Sequence, residues 1–233
     1  MIGEIIKEFI FPENLICGFC GADIPKDNPF GICKNCYSKI EFTDFVCHKC
    51  GRIISDNSCG CRGEKFAFDY VDTALKYTKF IEPSVYRLKY GHQAYISGFF
   101  AEFIEYLIYK NEKKYDLITW APVNKFRKIQ RGYDQGELMA KYVSSKMKID
   151  ALKLVERTKN TPYLARISKE KREETLQNAF KICTDYDLKN KTVLLLDDII
   201  TTGATLNAVS NTIKDGFSKV RIECLTIFNA KGD

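Results

Sequence analysis

Thr192–Leu206 reads TVLLLDDIITTGATL, and the rest of the chain is arranged around it. Four apolar residues, Val193 to Leu196, run into Asp197 and Asp198; Ile199 and Ile200 follow, then Thr201, Thr202, Gly203, Ala204 and Thr205. A short apolar run bounded by polar residues predicts a strand buried on both faces, as parallel sheets require. Leu206, Val209 and Ile213 recur at helical spacing, and Gly216 stands where a helix C-cap is expected. The Thr/Gly segment is then a strand-to-helix loop. Free amides, the positive end of a helix, short hydroxyls and a glycine that permits close approach make such a loop an anion site.

The two aspartates narrow the ligand. A phosphate loop repels carboxylates, yet two stand directly before it. A ligand with hydroxyls at one end and phosphate at the other reconciles them, the acids accepting from hydroxyls or reaching a hydrated Mg²⁺. A sugar phosphate fits. An acidic turn and an N-capped helix is the plainer reading, but capping does not need two acids followed by TTGAT. The stretch resembles the 5-phosphoribosyl-1-pyrophosphate (PRPP) loop of type I phosphoribosyltransferases. That resemblance implies that Asp197 and Asp198 hold the ribose hydroxyls, and that Thr201, Thr202, Gly203, Ala204 and Thr205 hold the 5′-phosphate.

The 233 residues suffice for one α/β domain plus a small appendage, and 45% apolar content supports a real core. No secretory signal and no run of membrane-spanning length is evident, so a cytoplasmic protein is expected, and ten cysteines then need a use other than disulfides. The net charge of +6 is concentrated: residues 120–175 carry 14 basic and 7 acidic side chains, while the other blocks nearly balance.

Eight cysteines fall early, as Cys17-x-x-Cys20, Cys33-x-x-Cys36, Cys47-x-x-Cys50 and Cys59-x-Cys61. Paired knuckles of this kind grip Zn²⁺ tetrahedrally. The simplest division is one site from the first four and a second from the last four, giving one or two structural zinc ions. Cys59-Gly-Cys61 is one residue short of a knuckle, which predicts a distorted or partly filled second site. His48 reads as a surface residue. A redox dithiol is the alternative, but no βαβ pattern surrounds the pairs. Two Cys₄ zinc sites would each add a formal −2, a poor surface for phosphates, so the module reads as structural or protein-contacting.

The module is expected to span residues 1–63, with one or two amphipathic turns at 4–11, and the α/β domain residues 64–233. Tyr70 to Tyr77 alternates and reads as a strand. Glu82 to Leu88 and Ile96 to Ile108 read as helices separated by a turn at Lys89-Tyr90-Gly91, and Leu117 to Ala121 as a second buried strand. Val123 to Gln135 reads as a strand-to-helix loop holding Lys125, Arg127, Lys128 and Arg131, suited to a pyrophosphate or a nucleic-acid phosphate. The helix Glu137 to Lys146 follows. Residues 157–180 lack apolar periodicity and carry Arg157 and Arg172 among six cations, which reads as a lid over an anion. Ala179 to Cys183 and Val220 to Phe228 read as the last strands, with Cys183 and Cys224 as ordinary buried residues.

Taken together, the cysteine module, the KYG turn, the motif Pro122, Arg127, Arg131, Gly132, Tyr133, Asp134 and Gln135, and the PRPP loop resemble the ComF (ComFC) family. The lid agrees at Arg157, Thr161, Pro162, Ser168, Arg172, Ala179 and Phe180, and departs at Leu164 and Thr175. The resemblance implies a phosphoribosyltransferase-type, Rossmann-like, mostly parallel sheet with helices on both faces, preceded by a zinc ribbon. It also implies a role in natural transformation, with imported single-stranded DNA, a DNA-uptake helicase and a recombination mediator as partners. Three functions are compatible with these residues: handling single-stranded DNA, with Phe126, Tyr133 and Tyr163 as stacking faces; phosphoribosyl transfer with Mg²⁺ to an acceptor that no stretch identifies; and a PRPP-sensing scaffold.

Overall fold

The computed structural model describes residues 16–25, 28–54, 59–61, 64–158, 175, 176 and 178–231. They form α1 (Lys34–Tyr37), β1 (Tyr70–Lys76), α2 (Glu82–Tyr90), α3 (Ile96–Lys110), β2 (Leu117–Trp120), α4 (Lys125–Arg131) and α5 (Gln135–Met147). Then come β3 (Val155–Arg157), β4 (Phe180–Ile182), β5 (Thr192–Ile200), α6 (Ala204–Gly216) and β6 (Arg221–Asn229). The turns expected at residues 4–11 and most of the expected lid, including Arg172, Tyr163 and Leu164, lie outside the described residues.

Four strands pair in the order β1-β6-β5-β2, every pair parallel, and β3 and β4 form a separate antiparallel pair. Alternate residues of β5 divide between two cores. Val193 and Leu195 pack with Leu206, Val209 and Ile213 of α6, while Leu194 and Leu196 pack with α3 and α5 through Phe100, Phe103, Met139 and Val143. Helices therefore cover both faces, which is why the strand is apolar throughout. Each such buried side chain contributes roughly 1.5–3 kcal/mol, enough together to hold the two following acids in fixed places.

β1 forms where the alternation predicts a strand, and Val71 to Leu75 are all buried. The N-terminal segment runs along the strand's outer edge. Thr43 N donates to Ala74 O at 2.9 Å, Lys76 N to Glu41 O at 2.8 Å and Val71 N to His48 O at 2.9 Å. An edge that would otherwise offer unpaired backbone groups is closed. Phe19 meets Phe99 edge-on at 5.1 Å and Phe30 stacks on Phe103 at 5.0 Å, so the cysteine-bearing segment and the sheet share one core.

Three local expectations need correcting. The basic segment after β2 is not all loop: α4 occupies Lys125–Arg131, started by Asn124, whose side chain accepts from Arg127 N at 3.0 Å, and stopped by Gly132. Phe126 and Ile129 point outward, so no buried stripe marks this helix in the sequence. Similarly, α2 continues through Lys89 to Tyr90. Cys224 is buried as expected, whereas Cys183 is exposed. Among the described residues, no helix is long and apolar enough to cross a membrane.

Candidate functional site

A cleft opens at the carboxyl ends of β2 and β5, the place where open parallel sheets bind ligands. Ala121, Pro122 and Val123 line it after β2, and Thr201 to Thr205 after β5. Gly203 begins α6 with φ of 84°, a left-handed conformation that glycine adopts at least cost. No side chain caps the helix in the usual way, and Thr202 Oγ1 instead accepts from Ala204 N at 3.2 Å. The 13-residue α6 therefore turns its positive end toward the cleft.

Asp197 and Asp198 enter from β5. Lys89 Nζ pairs with Asp198 Oδ2 at 2.8 Å, and Gln135 Nε2 donates to the same oxygen at 3.3 Å. Gln135 is oriented in turn by Arg131 Nη1, which donates to its Oε1 at 2.9 Å. Arg131 is buried and lies over the Tyr90 ring at 5.3 Å. Asp197 shows part of its surface to the cleft. Burial, then the charge of Asp198, pushes its carboxyl up to about 8 against the opposing pull of Lys89 and Arg157. Arg157 is brought down to about 10 by burial and then by the like charge of Arg127. Lys89, Arg127, Arg131 and Arg157 thus face two carboxyl groups across one cleft, leaving a positive surplus for an anionic ligand.

Of the residues singled out from sequence, Asp197, Asp198 and Thr201–Thr205 line the cleft together with Arg127 and Arg131. Lys125 is exposed on α4 outside the lining, and Lys128 pairs with Glu137 at 2.8 Å. Lys89, expected in a turn, and Arg157, expected in a lid, both line the cleft, Arg157 from the end of β3. Their signal was present in the KYG motif and in the first lid arginine, but neither motif says where its cation points. Of the stacking candidates, Phe126 is exposed, whereas the Tyr133 hydroxyl donates to Leu88 O.

The cysteines gather as their spacing predicts. Cys17, Cys20, Cys33 and Cys36 form one group and Cys47, Cys50, Cys59 and Cys61 another, the ligand atoms within each lying within 4.8 Å of one another. The short Cys59-Gly-Cys61 pair closes as tightly as the full knuckles, with Cys50 Sγ 3.5 Å from Cys59 Sγ. His48 stays outside both groups, its Nδ1 3.1 Å from Val71 O. Four crowded thiols conflict. Burial drives Cys36 up and Cys50 to about 12; in Cys17 and Cys47 burial also raises the thiol, but surrounding amides outweigh it and bring each to about 7. A divalent cation resolves that conflict by binding thiolates, so each group could hold zinc.

No family model matches the chain. It is similar to competence protein F of Haemophilus influenzae, at 28% identity over 195 residues that span 79% of this chain and 84% of the relative. It is also similar to competence protein ComFC of Bacillus subtilis, at 23% identity over 246 residues that span 94% of this chain and 96% of the relative. Among solved structures, adenine phosphoribosyltransferase of Leishmania tarentolae matches with a TM-score of 0.37 and 11% identity, over 58% of this chain and 71% of that one. UMP synthase of Leishmania donovani matches with a TM-score of 0.32 and 16% identity, over 57% of this chain and 22% of that one.

Proposed function

We propose that this relative of competence proteins F and ComFC binds Mg-PRPP in its cleft and handles single-stranded DNA beside it during natural transformation. The observation that carries the reading is the meeting, in one cleft, of two carboxylates, a glycine-led helix start and four cations. Thr201–Thr205 hold the 5′-phosphate on loop amides and hydroxyls. Asp197 and Asp198 accept from the ribose hydroxyls, and their oxygens reach the water shell of Mg²⁺, which when bound offsets pyrophosphate charge. Lys89, Arg127, Arg131 and Arg157 take the pyrophosphate, the arginines through paired N–H donors; Arg172, outside the described residues, is assigned to the same anion from its sequence alone. Zinc in each Cys₄ group is structural, residues 1–63 form the zinc-binding module of a cytoplasmic protein, and a DNA-uptake helicase and a recombination mediator are its partners.

The DNA surface is the outer face of α4 with the adjoining end of α2. Lys125 and Lys128 meet phosphates there, while Phe126, Tyr86 and Tyr90, 68%, 64% and 36% exposed, offer faces on which bases stack. The names of the two relatives support the competence setting. The four-cation wall favours a second reading, transfer of the ribosyl 5-phosphate to a nitrogen acceptor with release of pyrophosphate. Fluorescence anisotropy of a labelled oligonucleotide, with and without Mg-PRPP, tests the proposal. Salt-sensitive binding that Mg-PRPP weakens supports it; no binding at low salt overturns the DNA reading for this chain.

A further inference from the structure

The second cysteine group is fastened to the root of the phosphate loop. Its knuckle ends at Gly51, with φ of +79°, and a Cβ there would fall 2.5 Å from Ile200 Cδ1. Ile200 is the last residue of β5, directly before Thr201. Asn229, buried opposite Ile200 on β6, donates its Nδ2 to Gly51 O at 2.7 Å. Two residues further on, Lys231 Nζ donates to the carbonyl of Cys50. The same ammonium lies 3.9 Å from the place a Cβ on Gly203 would occupy. Lys231 therefore reaches from the backbone of one knuckle cysteine to the turn that starts α6. The first cysteine group has a different anchor, Arg87 of α2, whose Nη2 donates to Gly18 O at 2.8 Å.

We infer that Lys231 is a positioning residue that couples the second Cys₄ group to the phosphate loop, so that metal in one and anion in the other stabilise each other. The inference rests on the phosphate reading above and adds a regulatory link to it. The Cys50 carbonyl is fixed because Gly51 N and Cys50 N both donate to Cys47 O, at 2.7 and 3.1 Å, in the turn that brings Cys47 and Cys50 together. A carbonyl fixed by the metal site fixes the ammonium, and the ammonium adds positive charge beside a helix start that already favours anions. Any strengthening of anion binding by the metal must be returned as an equal strengthening of metal binding by the anion.

The test uses the full zinc-loaded chain and ribose 5-phosphate without magnesium as the probe. Calorimetry gives its affinity for the wild type, Lys231→Met and Lys231→Arg, with thermal melts and zinc content checking that each variant is folded. Lys231→Met should bind about five- to tenfold more weakly, with Lys231→Arg recovering part of the loss. In the wild type, ribose 5-phosphate should slow release of one zinc equivalent to a chromogenic chelator, and in Lys231→Met it should not. A merely structural lysine would leave that ligand-dependent difference in place. Equal affinity in Lys231→Met, or ligand-independent zinc release in the wild type, overturns the coupling. Failure of the wild type to bind the probe removes the phosphate site itself, and the coupling with it.

Discussion

Lys89→Met removes one partner of an ion pair largely closed to solvent. The pair measures 2.8 Å, and the two side chains are 16% and 5% exposed. Stranding one charge of a buried pair typically costs about 3–5 kcal/mol. Here Gln135 still donates to the same carboxylate oxygen at 3.3 Å and the cleft admits water, so about 2–3 kcal/mol is expected. For a chain of this length each kcal/mol moves the melting temperature by roughly 2–4 °C, which predicts a fall of about 4–12 °C. The assay is thermal denaturation of the ligand-free protein at pH 7. Adding Asp198→Asn to Lys89→Met removes the stranded charge and should restore most of the loss, the non-additivity expected of a coupled pair. A single variant that melts like the wild type, or a double variant less stable than Lys89→Met alone, would refute this reasoning.

The raised carboxyl of Asp197 makes the stability of the ligand-free protein depend on pH. A carboxyl at about 8 in the folded protein and ~4 unfolded keeps its proton longer in the native state; stability is full below pH ~4 and is lost as pH rises toward ~8. Glu105, pushed up to about 7 by burial, acts in the same direction. Asp197→Asn should therefore flatten urea-denaturation stability between pH 5 and 8 and leave the variant more stable than the wild type at pH 8; an unchanged pH profile contradicts the assignment. On the outer face of α4, Lys125→Gln should lower the salt dependence of single-stranded DNA binding by about 0.7 in slope. Phe126→Ala should weaken binding without changing that slope, and an effect on neither would place the DNA surface elsewhere.

The most legible part of the chain was the one with the least freedom. A run such as Val193–Leu196 has few places to go other than a strand covered on both faces, and the cysteine spacings leave little choice about which thiols meet. Less legible were features set by partners distant in sequence. β1 is recognisable as a strand from its alternation, but nothing local announces that residues 41–48 run along its edge or that Val71 to Leu75 are all buried. α4 shows no buried stripe, since its apolar residues Phe126 and Ile129 face outward, so only its cap Asn124 and its stop Gly132 mark it. Lys89 and Arg157 stand 68 positions apart in the chain and meet at the cleft, a juxtaposition that the sheet creates and no local pattern announces. The tie from Gly51 and Lys231 to the phosphate loop is of the same kind, joining two segments that read as separate domains.

Isothermal titration calorimetry of Mg-PRPP into the wild type and into Asp197→Asn/Asp198→Asn tests the cleft most directly. The double substitution removes both carboxylates and keeps the side-chain volumes, and thermal melts establish that the variant is folded. A measurable affinity in the wild type that disappears in the folded double variant is the predicted result. Equal affinity in the two proteins, or no heat in the wild type under conditions where it is folded and zinc-loaded, would contradict a sugar-phosphate site built on Asp197, Asp198 and Thr201–Thr205.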